Sequence, residues 1–414
     1  MKSASFVQNK FREYYEGAFS LNGSLPSIEK REFGFASFAG WMLRHRSFRA
    51  RDELDLFLRD SVPKDAYVSC AYYGFPEEEM DKKNWLGADL IFDIDADHLV
   101  TPCGKVHDDW TCGVCGYTGK GLEPEKCPVC NSEKFETNTW LCETCLQSAK
   151  KETAKLLEIL MEDFGFLDKE IHLFFSGHRG YHVHILNSTI ETLDSAARKE
   201  IVNYVTGLGL CTTSFESHVK GREGVWASEM LGSSNLGWSK RIAEGVHRFF
   251  LEATVDDYAA AGLTGSIIRA IVKNRDGILE KWNNTGDLGP VKGIGPQTWD
   301  RIVKHCTSLQ STRIDTVVTT DIHRLIRLPS TLHGKTGLLK VEFSVLDIKE
   351  FDPFVDAVAF KNGNALVLVS SSPEFTLADK KFGPYKSEKV ELPTAAALLL
   401  ICKGRAEVLA ENVR

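Results

Sequence analysis

This sequence predicts an α+β fold carrying a cysteine-rich insertion and a helical subdomain. Three observations lead there. Apolar runs closed by turns, around residues 88–97 and 171–186, read as strands of a buried sheet. Seven of the 11 cysteines fall between Cys103 and Cys145, in a polar, Gly-rich stretch that leaves the surrounding pattern. Residues 190–310 are mostly helical in pattern.

The chain has 414 residues, 26% charged and 43% hydrophobic, enough for two or three domains with a sizeable core. Its net charge of −7 excludes a basic nucleic-acid coat protein, so any nucleic-acid contact must come from local basic patches. Lys2, Lys10 and Arg12 are interleaved with polar and aromatic residues, which is not the pattern of a secretory leader. No apolar stretch is long enough to span a bilayer, and no membrane association is expected. The odd, clustered cysteines argue against a secreted disulfide framework. They favour thiolate metal sites in an intracellular, cytoplasmic protein.

Taken in order, residues 1–60 read as helix-rich, with Tyr14-Tyr15 and the basic stretch Arg44-His45-Arg46. Residues 66–97 hold strands. Residues 101–147 are the excursion. Lys150–Phe164 has helical apolar spacing at Ala154, Leu156, Leu157, Ile159, Leu160 and Phe164. Ile171–Phe175 is a strand, followed by the turn Ser176-Gly177-His178-Arg179-Gly180 and a second strand, Tyr181–Leu186. A Gly/Pro-rich break at 286–296 interrupts the helical region. Residues 338–371 return to strands. Residues 393–410 form a last helix or two, and the run Ala395–Cys402 reads as a core helix.

Asp93 and Asp95 end the apolar run of 88–97. On a strand, residues i and i+2 share a face, so the spacing aims two carboxylates at one point. They repel there unless a cation sits between them, and Mg²⁺ or Mn²⁺ prefers oxygen ligands. This is the start of a metal site for phosphoryl or nucleotidyl transfer. A third acidic ligand suits a two-metal site, and Asp315 or Asp321 can supply it.

The cysteine region holds four units: Cys103-x3-His107, Cys112-x2-Cys115, Cys127-x2-Cys130 and Cys142-x2-Cys145. Two-residue spacing lets both sulfurs of a knuckle bind one tetrahedral ion, and eight ligands make two sites. The simplest pairing is nested: Cys112, Cys115, Cys127 and Cys130 form a ribbon, and Cys103, His107, Cys142 and Cys145 close its base. The alternative is sequential, the first four ligands and then the last four. Closed sets of this kind favour structural Zn²⁺ over an iron–sulfur cluster.

The turn at 176–180 and its continuation Tyr181-His182 combine two glycines, a hydroxyl (Ser176), a planar cation (Arg179) and a ring donor (His182). Those groups suit a triphosphate. A third stretch, from Arg313 to Gly337, adds Arg327, His333 and Lys335 as groups able to neutralise phosphate. Candidate nucleic-acid contacts are Arg44, Arg46 and the basic residues of 240–248. The Gly293-Ile294-Gly295-Pro296 turn faintly resembles a helix-hairpin-helix contact, although a Gly-rich helix connection explains it as well.

The ordered set Asp-x-Asp, zinc knuckles, Ser-Gly-x-Arg-Gly-x-His, then Asp … His-Arg-Leu-x-Arg-x-Pro … His-x-Lys-Thr-Gly resembles the catalytic small subunit of archaeal and eukaryotic DNA primases. Tyr14-Tyr15, Arg31-Glu32-Phe33-Gly34-Phe35 before Arg44, Leu392-Pro393 and Lys403-Gly404-Arg405-Ala406 extend the resemblance over nearly the whole chain. It implies the primase fold, with two small sheets bearing the active site. The catalytic core is then expected at 1–100, 148–190 and 311–414, the zinc-binding insertion at 101–147 and the helical subdomain at 191–310.

The resemblance further implies synthesis of short RNA primers from ribonucleoside triphosphates on single-stranded DNA, with DNA synthesis as a further capacity. Asp93, Asp95 and Asp315 are implied as the metal-binding triad, with Asp321 beside it. Ser176, Arg179 and His182 are implied as triphosphate contacts, Arg327 and His333 as partners across the nucleotide, and Arg44 near the same pocket. The family's single Cys/His/Cys/Cys set supports the nested pairing and makes 112–130 an inserted second ribbon. A large regulatory subunit is the implied protein partner. Two rival expectations are a repair polymerase of the same superfamily and a catalytically silent zinc-ribbon adaptor.

Overall fold

The computed structural model describes residues 2–21, 23–210, 236–285 and 294–412. Cys211, Gly293 and most of the Gly/Pro-rich break lie outside the described residues. Helix α1 (Lys2–Glu13) turns Phe6, Val7 and Phe11 inward on one stripe. Strands β1 (Phe33–Ala36) and β2 (Met42–Arg46) form a hairpin. Helix α2 (Arg51–Ser61) buries Leu54 and Leu58, and has acids in its first turn and Arg59 in its last, complementing the helix dipole. Strands β3 (Asp65–Ser69), β4 (Ala71–Tyr73), β5 (Trp85–Ala88) and β6 (Leu90–Asp95) follow. The insertion contains β7 (Asp109–Cys112), β8 (Thr118–Lys120) and β9 (Phe135–Asn138) in one small sheet.

Helix α3 (Glu143–Glu162) starts inside the last cysteine knuckle, seven residues ahead of the apolar pattern that predicts it at Lys150. Strands β10 (Ile171–Phe175) and β11 (Gly180–Ile185) flank the glycine turn, as their apolar content implies. Helices α4 (Ser195–Thr206), α5 (Gly237–Glu252), α6 (Val255–Ala260), α7 (Gly265–Thr285), α8 (Pro296–Gln310) and α9 (Thr316–Thr320) come next. Then come β12 (Leu325–Arg327), β13 (Val341–Phe343), α10 (Pro353–Asp356), β14 (Asn364–Ser372), β15 (Phe375–Leu377), β16 (Lys380–Phe382), β17 (Tyr385–Pro393), α11 (Thr394–Cys402) and β18 (Ala406–Asn412).

The chain divides into two compact units. The first comprises Met1–Ala154, Leu167–Lys199 and Ile314–Arg414. It holds two four-stranded antiparallel sheets, ordered β12-β3-β1-β2 and β13-β10-β11-β6. A third sheet, β17-β14-β18, is packed by α11, whose residues from Thr394 to Ile401 are all buried. A helix that is apolar all round has to be a core helix.

One expectation is extended here and one fails. Residues 1–60 carry the β1–β2 hairpin as well as helices, because Phe33 and Phe35 alternate with Gly34 and pack on Phe48 and Phe57. Residues 393–410 hold one helix and then a strand. Gly404 turns the chain with φ +65°, and 406–412 pair with β14 although Ala, Glu and Leu favour helix.

The second unit comprises Lys155–Phe166 and Glu200–Arg313. Trp238, Phe249, Phe250, Tyr258, Ile271, Trp299 and Ile302 form its core. Thr254 and Asp257 make a reciprocal capping box at the start of α6. No described helix is long and apolar enough to cross a membrane.

Candidate active site

Strand β6 alternates as its sequence demands. Leu90, Phe92 and Ile94 are buried on one face, and Asp93 and Asp95 project together from the other. Beside them on β11, His182 lies opposite Asp93 and Gly180 opposite Asp95. A Cβ at Gly180 would stand 2.3 Å from the Ile94 carbonyl oxygen and 2.9 Å from Asp95 Cα. Glycine is therefore what lets β11 approach the acidic strand end. Asp315 joins the pair from the N-cap of α9: its backbone N–H donates to the Asp93 carbonyl at 2.8 Å. Asp321 sits at the opposite end of the same short helix, where its carboxylate accepts from the His323 N–H.

The electrostatics of the trio are those of carboxylates short of a counter-ion. Burial pushes the Asp93 carboxyl up to about 7, and the charges of Asp95 and Asp315 push the same way, against weaker relief from Arg324 and Lys340. Asp95 is raised by burial and by Asp97. One oxygen of Asp95 accepts from the Asp97 N–H at 2.8 Å and one of Asp315 from the Val317 N–H at 2.9 Å. Oxygen donors crowded at a charge deficit fit Mg²⁺ or Mn²⁺. His182 adds a buried ring whose Nε2 is 3.5 Å from Asp93 Oδ1 and whose Nδ1 has no hydrogen-bond partner among the described residues.

Two turns meet beside this strand end. In the first, Ser176 Oγ accepts the N–H groups of His178 and Gly180, both at 3.3 Å. In the second, the N–H groups of Thr336 and Gly337 donate to the His333 carbonyl, and the Lys335 N–H donates to His333 Nδ1 at 3.0 Å. That bond places the His333 ring proton on Nε2. Thr336 Oγ1 donates to the Gly177 carbonyl at 2.6 Å, and the His178 and His333 rings stack with centroids 5.0 Å apart. Burial and nearby cations hold His178, His182 and His333 well below the usual histidine range, so all three are neutral at pH 7.

Arg327 and Arg44 lie on opposite edge strands of the β12-β3-β1-β2 sheet. Arg327 pairs with Asp65 at 2.6 Å and lies over the Tyr67 ring. Arg44 is 40% exposed and is held by Glu32 at 3.0 Å. Arg179 is fully buried: Asp108 takes its Nη1 with both oxygens, at 2.9 and 2.8 Å, and Asp97 pairs with Nη2. Of the template candidates, Lys240 pairs with Glu162, and Arg241 is buried against Asp163 and Glu158.

The cysteine sets are nested. Ligand atoms of Cys103, His107, Cys142 and Cys145 lie within 4.8 Å of one another, as do those of Cys112, Cys115, Cys127 and Cys130. Sulfur separations of 3.5 Å (Cys103–Cys145, Cys112–Cys130) and 3.6 Å (Cys115–Cys127) are far too long for disulfides. They approach the edge of roughly 3.8 Å of a tetrahedron with 2.3 Å bonds, so both sets fit Zn²⁺. Backbone N–H groups of Cys115 and Val114 pull the Cys112 thiol down to about 6, which favours the thiolate a metal needs.

The first set is tied to the glycine turn. His107 Nδ1 bonds Asp108 at 2.7 Å, and Asp108 also accepts from the Trp140 N–H and clamps Arg179. A sequence model described as DNA primase small subunit matches residues 130–345, more than half of the chain. The chain belongs to the DNA primase small subunit family. It is 32% identical to the DNA primase small subunit PriS of Nitrosopumilus maritimus, over 97% of this chain and 98% of that protein. Against the PriS proteins of Cenarchaeum symbiosum and Methanothrix thermoacetophila the identities are 33% and 34%, each over 98% of this chain and at least 98% of the relative.

Within this primase small subunit, the residues that pattern reading missed are those acting through others. Asp65, Asp108, His178 and Lys340 belong to no recognisable spacing. Asp108 carried one signal, a carboxylate directly after a metal-ligating histidine, where a partner for the second ring nitrogen is needed.

Proposed function

We propose that Asp93, Asp95 and Asp315 hold the divalent ions, Mg²⁺ or Mn²⁺, of a two-metal nucleotidyl transfer that builds short RNA primers on single-stranded DNA. As a DNA primase small subunit, the chain is a nucleotidyltransferase of DNA replication. The observation that carries the assignment is the placement of Asp93 and Asp95 on one face of β6 with Asp315 bonded through its backbone to Asp93, and the Asp93 carboxyl raised to about 7 by burial and by the charges of the other two.

When bound, such ions lower the pKa of a 3′-hydroxyl and neutralise the departing pyrophosphate. The chain's own groups do the rest. The β6 backbone fixes two carboxylates at strand spacing, and the Asp315 N–H bond to Asp93 fixes the third. Ser176 Oγ–H and His333 Nε2–H offer hydrogen bonds to the triphosphate, with the His182 ring beside them against Asp93. Arg327 and Lys335 offer charge, with Arg44 at the far edge of the sheet. Arg179, held by Asp97 and Asp108, anchors the turn.

Structural Zn²⁺ fills both cysteine sets in this account. A large regulatory subunit, the single-stranded template, the RNA primer and ribonucleoside triphosphates are the proposed partners. A cytoplasmic place of action agrees with reduced, metal-ready thiols and with archaeal relatives. The test is primer extension by Asp95→Ala. Removing one carboxylate costs several kcal/mol of transition-state stabilisation, so the rate should fall on the order of a thousandfold with the fold and zinc content intact. Retained extension by that variant overturns the metal assignment.

A further inference from the structure

The Lys403-Gly404-Arg405 segment has no place in the mechanism above, yet the fold carries it against the back of the 176–180 turn. Helix α11 packs its Leu398 against Gly337, where a Cβ would meet the leucine Cδ2 at 2.5 Å. That contact brings the helix C-terminus up behind the two stacked turns. Lys403, the C-cap residue, is 3% exposed. Its Nζ donates to the Thr139 carbonyl and to His178 Nε2, both at 2.7 Å. Its own carbonyl accepts from Asn138 Nδ2 at 2.8 Å. Lys403 therefore grips the 176–180 turn from behind, at the ring that stacks on His333.

A buried ammonium is costly unless its charge is used. Lys403 has two hydrogen-bond acceptors and no carboxylate in contact. The groups that face it are Arg179 and Lys335 on the positive side, and Asp97 and Asp108 on the negative side. His178 in turn faces Lys403, Arg179, Lys335 and Arg327. Four cations thus surround a pair of neutral imidazoles; Asp97 and Asp108 pair with Arg179 and Asp65 pairs with Arg327, which leaves the buried Lys403 and the exposed Lys335. Those two positive charges suit a polyanion.

We propose that Lys403 is a positioning residue for the nucleotide triphosphate: through His178 it sets the turn that presents Ser176, and its charge stands behind that turn. This rests on the primase reading of the pocket. Donation from Lys403 to Nε2 puts the His178 ring proton on Nδ1 and fixes that ring against His333. Burial and the neighbouring cations bring the Lys403 ammonium down to about 7, so its charge is lost as pH rises through neutrality unless phosphate holds it.

The experiment measures nucleotide KM and kcat for extension of a supplied primer, comparing wild type, Lys403→Met and Lys403→Arg across pH 6 to 9. Zinc content and melting temperature report the fold of each. The expected result for Lys403→Met is a KM raised about tenfold or more with kcat within about threefold, because the turn held through His178 loosens and the charge behind it is lost. Lys403→Arg should restore most of the affinity and flatten the rise of KM with pH seen in wild type. Should Lys403→Met fail to fold, the pH comparison of wild type with Lys403→Arg decides alone. A folded Lys403→Met with KM within about twofold of wild type overturns the proposal, as does an unchanged pH profile in Lys403→Arg. Wild type that incorporates no nucleotide in this assay overturns the primase reading, and the proposal with it.

Discussion

Replacing Asp93 by Asn should stabilise the metal-free chain while destroying its chemistry. Burial and its acidic neighbours hold the Asp93 carboxyl at about 7 in the native state, against roughly 4 for an ordinary aspartate. The native state therefore binds the extra proton between those values, and stability falls as pH rises from about 4 to 7. Three units at about 1.4 kcal/mol each give an upper figure of ~4 kcal/mol. The side chain is 22% exposed, and part of the rise comes from the charges of Asp95 and Asp315. Solvent screening reduces the gain to ~1–3 kcal/mol at pH 8. Urea unfolding in magnesium-free buffer, without chelator so that zinc stays, measures it. Asp93→Asn should exceed wild type by that amount at pH 8, and the gain should fade toward zero by pH 4. Excess Mg²⁺ should stabilise wild type more than the variant, because only wild type keeps the full ligand set. Equal or lower stability of Asp93→Asn at pH 8 would refute the account of a carboxylate held against its neighbours.

Other outcomes follow from the same geometry. Asp108→Asn should keep zinc, since the ligands are untouched, yet loosen Arg179 and lower primer extension about tenfold. With Arg179→Gln the double variant should be no worse than Arg179→Gln alone, a non-additivity read by extension rates. Gly180→Ala forces a Cβ to 2.3 Å from the Ile94 carbonyl and should cost about 3 kcal/mol or more of unfolding free energy, with activity lost as β11 shifts. Cys115→Ser should halve the zinc released on thiol modification and leave the Cys103, His107, Cys142, Cys145 ion in place; release of both ions would show the two sites to be one unit.

The parts of the site legible in the sequence are those that local rules dictate. Asp93 and Asp95 share a face because strands alternate. Ile171–Phe175 is a strand because an apolar run met a glycine turn. The cysteine sets follow from knuckle spacing. What escaped was set by distant pairing. Residues 406–412 have helix-forming composition and become a strand only because β14 offers an edge. Arg44-His45-Arg46 lies on a strand because Phe33 and Phe35, with the aromatic rings they meet, need a sheet to pack in. The burial of Arg179 was hidden for the same reason: a cationic fork beside glycines reads as a phosphate contact, whereas Asp108, 71 residues away in sequence, holds both sides of its Nη1.

Unprimed synthesis on single-stranded DNA, with labelled ribonucleotides and Mg²⁺ or Mn²⁺, tests the central claim most directly. Wild type is compared with Asp93→Ala/Asp95→Ala, each alone and with the large subunit added. The account predicts short RNA products from wild type and none from the double variant, which keeps its zinc and its fold. Products from the double variant would contradict the carboxylate site. A wild type silent in every condition, or active only on 5′-phosphorylated gaps, would contradict the assignment of primer synthesis to this chain.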